Sequence, residues 1–184
     1  MLRPDYPIRT ARLVLRPFQE DDLDVFHAYR SLPEVHRYLY NDTASREGVA
    51  ELLARRINEH ELTEEGQRLA LAVCLDEEVI GDVALKWTNE ANRQGEIGYS
   101  LHPAFQGKGY AQEAAAHMLK LGFEDLGLHR IQAECDARNE PSWRVMERLN
   151  MRREAHLRHH ELFKGEWGDS YVYAMLAEEY REPI

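Results

Sequence analysis

The sequence predicts one α/β domain spanning residues 1–184. Three observations lead there. The chain has 184 residues with 43% hydrophobic and 30% charged side chains, which is enough to bury one well-packed core and cramped for two. Stretches with apolar residues at every second position are interspersed with stretches at helical spacing, and no repeat, low-complexity tract or Gly/Ser linker marks a boundary. At the centre, a strand, a glycine-bearing loop, a helix and a second strand follow one another, the order of a parallel crossover.

Each element has its own warrant. "RLVLRPF", from Arg12 to Phe18, alternates Leu13 and Leu15 with arginines and stops at Pro17. "EDDLDVFHAYR" then opens a helix with acidic residues, where the helix dipole favours them, and sets Leu23, Phe26 and Tyr29 on one face. A second helix is expected from Ser45 to Glu64, and strands over Leu69–Leu75 and Val79–Lys86 are joined by "DEE" as a hairpin turn. "GEIGYSLHP", Gly95 to Pro103, is a strand with Ile97, Tyr99 and Leu101 on one face, and a core-packed helix follows over Ala111–Leu126. "HRIQAECDA" is the next strand, and "NEPSWRVMERLN" is a helix with proline in its first turn. Strands around Leu157–Phe163 and Tyr171–Leu176 finish the chain.

Composition narrows the function. With 33 acidic against 23 basic residues the formal charge is −10, which repels nucleic-acid backbones and suits cationic small molecules or basic peptides. No run reaches the roughly 18 apolar residues of a membrane span, and "MLRPDYPIRT" lacks the apolar core of a signal peptide, so a soluble, cytoplasmic protein is expected. Cys74 and Cys135 sit in apolar-rich stretches and read as inert core residues. In "HLRHH", strand alternation sends His159 opposite to His156 and His160, and "HEL" at His60 lacks a second histidine, so no metal site is expected.

The chemistry concentrates in "HPAFQGKGYAQEAA", His102 to Ala115. Backbone N–H groups of a glycine loop entering a helix converge on an anion, aided by the dipole, at the carboxyl end of the preceding strand. A pyrophosphate fits this cradle, and a plain strand-to-helix turn is the other reading of the two glycines. No Ser or Thr follows Lys108 as a P-loop requires, and Gln112 stands where a dinucleotide fold has its third glycine.

The run Gln106-Gly107-Lys108-Gly109-Tyr110-Ala111 matches the Gln/Arg-x-x-Gly-x-Gly/Ala signature of the GNAT superfamily of N-acetyltransferases. Four ordered blocks, "TARLVLRPFQEDDLDVFHAY", "GEIGYSLHPAFQGKGYAQEAA", "HRIQAECDARNEPSWRVMERLNM" and "GEWGDSYVYAML", resemble its RimJ/RimL-type branch, which acetylates ribosomal-protein N-termini. The resemblance implies a mixed, mostly antiparallel sheet of about six to seven strands, splayed where acetyl-CoA enters, with helices on both faces. It implies that Gly107, Lys108, Gly109, Tyr110 and Ala111 hold the pyrophosphate through their amides, with Gln106 and Lys108 flanking it. It implies that Leu101 holds the pantetheine arm by main-chain groups and that Asn139 touches the arm by its side chain. Ser142 becomes the candidate proton donor to the leaving thiolate. Asn139 also fits a helix N-cap, and Ser142 first-turn filler.

Acyl transfer needs a neutral amine. Near pH 7.5 an α-amine with pKa about 8 is roughly one-quarter neutral, against about one lysine in a thousand. Glu96 is the candidate base, acting through water. Alternation sets it opposite Ile97, Tyr99 and Leu101, a count that the bulge implied by the resemblance would change. Tyr38 and Trp87, ahead of Tyr40 and Trp143, are the candidate acceptor-pocket aromatics. The expected reaction is direct acetyl transfer from acetyl-CoA to a protein N-terminal α-amine, with no metal and no covalent intermediate. The alternatives are a small amine such as an antibiotic or polyamine, and a non-catalytic acyl-CoA sensor. The resemblance allows a homodimer.

Overall fold

The computed structural model describes residues 1–38 and 45–181. Among the described residues, eight strands form one sheet in the order β1-β2-β3-β4-β5-β6-β8-β7: β1 Ile8–Arg9, β2 Val14–Pro17, β3 Arg68–Leu75, β4 Glu78–Asn89, β5 Gln94–Leu101, β6 Arg130–Asp136, β7 Arg152–Phe163 and β8 Glu166–Leu176. Every neighbouring pair is antiparallel except β5 and β6. The expected mixed sheet is therefore present. Eight strands replace the expected six to seven because the two-residue β1 pairs with β2 through Ile8↔Leu15 and Arg9↔Val14.

Helices cover both faces. On one side lie α1 Leu23–Arg30, α2 Pro33–His36 and α3 Arg46–Ile57, entered through a short turn at Glu20–Asp22. Phe18, Phe26, Tyr29, Val49 and Leu53 pack there against Ala72 and Cys74 of β3. α3 starts with Ser45 as its cap, the hydroxyl accepting from the Gly48 N–H, and ends well short of Glu64. α4 Tyr110–Lys120 and α5 Glu140–Arg148 lie on the other side, where Met118, Leu119 and Val145 meet Leu71, Val83, Leu85 and Ile97 in the larger core. β3 is thus buried on both faces, with Leu69, Leu71 and Val73 turned to the larger core and small Ala72 and Cys74 to the smaller one. Cys74 and Cys135 are both free and buried. Among the described residues, no helix is long and apolar enough to cross a membrane.

One ion pair fastens α1 to the sheet. Arg30 donates to Asp82 of β4 at 2.7 Å, and the Tyr29 hydroxyl donates to the same carboxylate oxygen at 2.7 Å. Both charged side chains are under a tenth exposed. Burial pushes the Tyr29 phenol far above its ordinary range, and the neighbouring Asp82 charge adds to it.

The feature that builds the site is the β5/β6 pair. Among the described residues it is the one parallel neighbour relationship, and its ladder runs only through Gln94↔Arg130, Gly95↔Ile131 and Glu96↔Gln132. Beyond Glu96 the two strands part, so β5 from Ile97 to Leu101 has β4 on one side and an opening on the other.

Candidate active site

A cleft of about 340 Å³ occupies this opening. Tyr99, Ser100 and Leu101 of β5 form one wall, Gln106 to Gln112 except Lys108 the floor, and Asn139 and Ser142 at the start of α5 the opposite wall. Glu34, Val35 and Tyr38 close one side.

The loop takes its shape from two glycines. Gly107 has φ +75° and Gly109 φ +83°, a left-handed region that L side chains adopt at a cost. Gly109 is the N-cap of α4 and brings no capping side chain, so the first-turn N–H groups are left to other partners. Among the described residues, the N–H groups from Gly107 to Gln112 find no main-chain acceptor; the next donor along the chain with one is Glu113 in α4, bonding Gly109 O at 3.0 Å. Five of these six residues line the cleft at the positive end of an 11-residue helix. Amides without a partner at the positive end of a helix suit an anion.

The other expected residues fall as follows. Gln106 lines the cleft, yet its amide donates to the Leu101 carbonyl at 3.0 Å, so it ties the strand end to the loop. That bond uses one acceptor site of the Leu101 carbonyl, one of the main-chain groups by which Leu101 is expected to hold the pantetheine arm. Lys108 folds back, its Nζ 3.2 Å from Ala104 O and 5.5 Å from the Phe105 ring, outside the cleft lining. Asn139 is both cap and wall: its Oδ1 accepts from the Ser142 N–H at 3.4 Å while the residue faces the cleft. Ser142 lines the cleft too.

Glu96 stands at the fork, the last residue paired to β6, where its Oε2 accepts from Gln132 Nε2 at 3.2 Å. The register from Trp87↔Gly95 to Gly81↔Leu101 is unbroken, so the bulge implied for β5 is not there. The irregularity sits instead between Trp87 and Asn89. Glu96 therefore keeps the face opposite Tyr99.

Tyr38 is brought to the cleft and Trp87 is not. Trp87 is 8% exposed in the larger core, four residues along β4 from Val83, the partner of Tyr99, or about 13 Å away at the rise of a strand. Alternation lines Trp87 up with Val83 and Leu85 on the core face, at the hairpin end of the sheet. Trp143 packs on the same core, and Tyr40 lies outside the described residues.

Sequence reasoning passed over Tyr99 as a core residue. Its hydroxyl donates to the Ser142 carbonyl at 2.8 Å, and the Ser142 hydroxyl lies 3.4 Å from it as a donor. Burial drives the Tyr99 phenol upward, with the Ser142 hydrogen bond opposing, so the phenol stays protonated at neutral pH. Burial also pushes the Cys135 thiol up to about 11, again against a Ser142 hydrogen bond. Glycine-rich loop, phenol and hydroxyl thus share one cleft.

The histidines depart from simple alternation because β7 bulges: three residues separate Leu157 from Glu161, while only Asp169 separates their partners Ser170 and Gly168. His156 Nε2 meets Asp169 at 2.7 Å, whereas ligand atoms of His160, Glu134 and Glu161 lie within 4.8 Å of one another.

The acetyltransferase (GNAT) domain family matches residues 12–152. This chain is a GNAT N-acetyltransferase. Over 171 residues it is 34% identical to the uncharacterized N-acetyltransferase p20 of Bacillus licheniformis, covering 93% of this chain and 96% of that one. Over 166 residues it is 26% identical to the spermidine N(1)-acetyltransferase of Escherichia coli K12, covering 90% and 87%. Among solved structures, RimL, a ribosomal L7/L12 α-N-protein acetyltransferase in complex with coenzyme A, superposes with a TM-score of 0.81 at 20% identity, covering 92% of this chain and 97% of that one. The acetyltransferase is acetyl-CoA-dependent, and the uncapped amides of its cleft fit a diphosphate donor.

Proposed function

We propose that residues 1–184 form one domain that moves acetyl from acetyl-CoA by direct transfer to the α-amine of a protein N-terminus. Acetyl-CoA supplies an activated thioester carbonyl; the protein supplies position, a proton acceptor and a proton donor. The observation that carries the reading is the row of N–H groups from Gly107 to Gln112 left without a main-chain acceptor at the mouth of α4. Those amides take the diphosphate, and Asn139 offers its Nδ2 donors beside the arm. The edge of β5 beyond Glu96 pairs with the arm as a further strand would, through main-chain groups that β6 no longer reaches.

Glu96 accepts the amine proton through a bridging water, since it lies outside the cleft lining at the apex of the fork. Ser142 gives its proton to the departing thiolate and regains one from solvent as Glu96 releases the amine proton to solvent, while the Tyr99 hydroxyl beside it positions the Ser142 side chain. A base acting at a distance suits an acceptor that is already partly neutral, as an α-amine is near pH 7.5 and a lysine is not. Resemblance to the RimJ/RimL branch points the same way. A polyamine acceptor is the second reading, favoured by the relative named as a spermidine N(1)-acetyltransferase and by the formal charge of −10.

Acetyl transfer measured by mass against an N-terminal peptide library and a panel of small amines separates the two. Acetylated peptide α-amines are expected. Acetylation confined to polyamines overturns the acceptor assignment, and binding of acetyl-CoA with no thiol released against any amine overturns catalysis. Glu96→Gln is expected to depress the rate at neutral pH and recover as pH rises; an unchanged pH–rate profile removes Glu96 from the mechanism.

A further inference from the structure

Arg12 lies 96 residues before the loop in sequence and against it in space. Its Nη1 donates to the Lys108 carbonyl at 3.0 Å, its Nε to Glu113 Oε2 at 2.7 Å, and its own main-chain N–H to Glu113 Oε1 at 2.7 Å. Thr10 Oγ1 donates to the same Oε1 at 2.6 Å. The guanidinium lies 4.7 Å from the centre of the Tyr110 ring, and a Cβ on Gly109 would sit 3.3 Å from Nη2. One side chain therefore contacts residues 108, 110 and 113 and lies beside Gly109, spanning the loop and the first turn of α4.

The peptide plane gives this bracket its consequence. The Lys108 C=O and the Gly109 N–H belong to one trans peptide unit and point in opposite directions. Drawing the carbonyl outward to Arg12 aims the Gly109 N–H the other way, to the cleft. A guanidinium can do this because its planar fork serves Lys108 and Glu113 at once. Glu113 in turn is fixed by Thr10 and by the main chain of Arg12, so the bracket is anchored in the segment leading into β2.

We propose that Arg12 is a positioning residue for the diphosphate site: it presets the direction of the loop amides without touching the ligand. The inference rests on reading the cleft as the acetyl-CoA site. Its signature is a loss confined to the diphosphate end of the donor.

The test compares wild type, Arg12→Ala and Arg12→Lys in steady-state kinetics and calorimetry with acetyl-CoA and with S-acetylpantetheine, which carries the thioester and lacks the diphosphate. Arg12→Ala is expected to raise KM and Kd for acetyl-CoA about tenfold, the scale of one charge-assisted hydrogen bond, with kcat held within about twofold. Its handling of S-acetylpantetheine is expected to match wild type, and Arg12→Lys to recover part of the loss. Equal weakening toward both donors, a fall in kcat of the same size, or unchanged acetyl-CoA affinity overturns the proposal. Should Arg12→Ala not fold, Glu113→Gln, which keeps the side-chain shape and removes the charge, is read by the same KM and kcat comparison. Wild type failing to bind acetyl-CoA sinks the site itself; wild type and Arg12→Ala binding it equally sinks only the role of Arg12.

Discussion

Replacing Gly109 by alanine tests the cradle at its most constrained point. Gly109 has φ +83°, where an L residue costs about 1–2 kcal/mol, and the added Cβ would press on Arg12 Nη2 at 3.3 Å. The loop is exposed from Gln106 to Lys108, so little packing holds a strained alanine in place while the site is empty. The free loop is expected to relax, and binding must then restore the strained conformation. That energy corresponds to roughly a 5- to 30-fold rise in Kd for acetyl-CoA, with kcat at saturation nearly unchanged. Gly165→Ala is the matched control: it has φ +85°, nothing within 4 Å of its Cβ position, and a place in the β7–β8 turn outside the cleft lining. It is expected to lower stability without touching acetyl-CoA affinity. Calorimetric titration of both variants decides the matter, and Gly109→Ala binding acetyl-CoA as tightly as Gly165→Ala refutes the reasoning.

Asp82→Ala leaves Arg30 buried without its partner, which costs about 3–5 kcal/mol, and thermal unfolding is expected to show Tm lower by roughly 10 °C. Tyr99→Phe keeps the ring and removes the hydroxyl beside Ser142, and kcat is expected to fall more than tenfold with a smaller change in KM for acetyl-CoA, read by thiol release. The Cys135 thiol, raised to about 11 by burial, is expected to resist alkylation in the native protein at pH 8 and to react on unfolding, followed by mass shift. Glu113 is held below the ordinary carboxylate range: burial alone would raise it, and hydrogen bonds from Thr10 and from the Arg12 main chain and guanidinium overcome that. A lowered folded pKa stabilises above the unfolded value of about 4.3 and is lost as pH falls through the folded value, so acidification below that point is expected to cost wild type more stability than Glu113→Gln, measured by urea unfolding.

Much of this architecture is written in local pattern. The continuous apolar run in "RLALAVCL" marks β3, alternation in "GEIGYSL" marks β5, and the two glycines between β5 and α4 mark the cradle, because two-sided burial, strand pleat and positive φ leave direct traces on residue choice. Short elements leave none: β1 has two residues and α2 four, too few for a period to show. Trp87 illustrates a second limit, since alternation tells which face an aromatic takes and not which end of the sheet it occupies. Tyr99 illustrates a third, because a side chain on the core face becomes a cleft wall only where β6 leaves β5. The Arg12 bracket and the Gln106 bond to Leu101 join groups whose pairing depends on how the loop closes. The histidines of β7 escape alternation through a bulge that no residue type announces.

Amide NMR of the acetyltransferase with and without coenzyme A addresses the loop nitrogens directly. The account predicts that the Gly107, Gly109, Tyr110 and Ala111 amide protons exchange quickly in the free protein, then shift downfield and become protected on binding. Protection already present in the free protein, or coenzyme A shifts that bypass these residues, would contradict it.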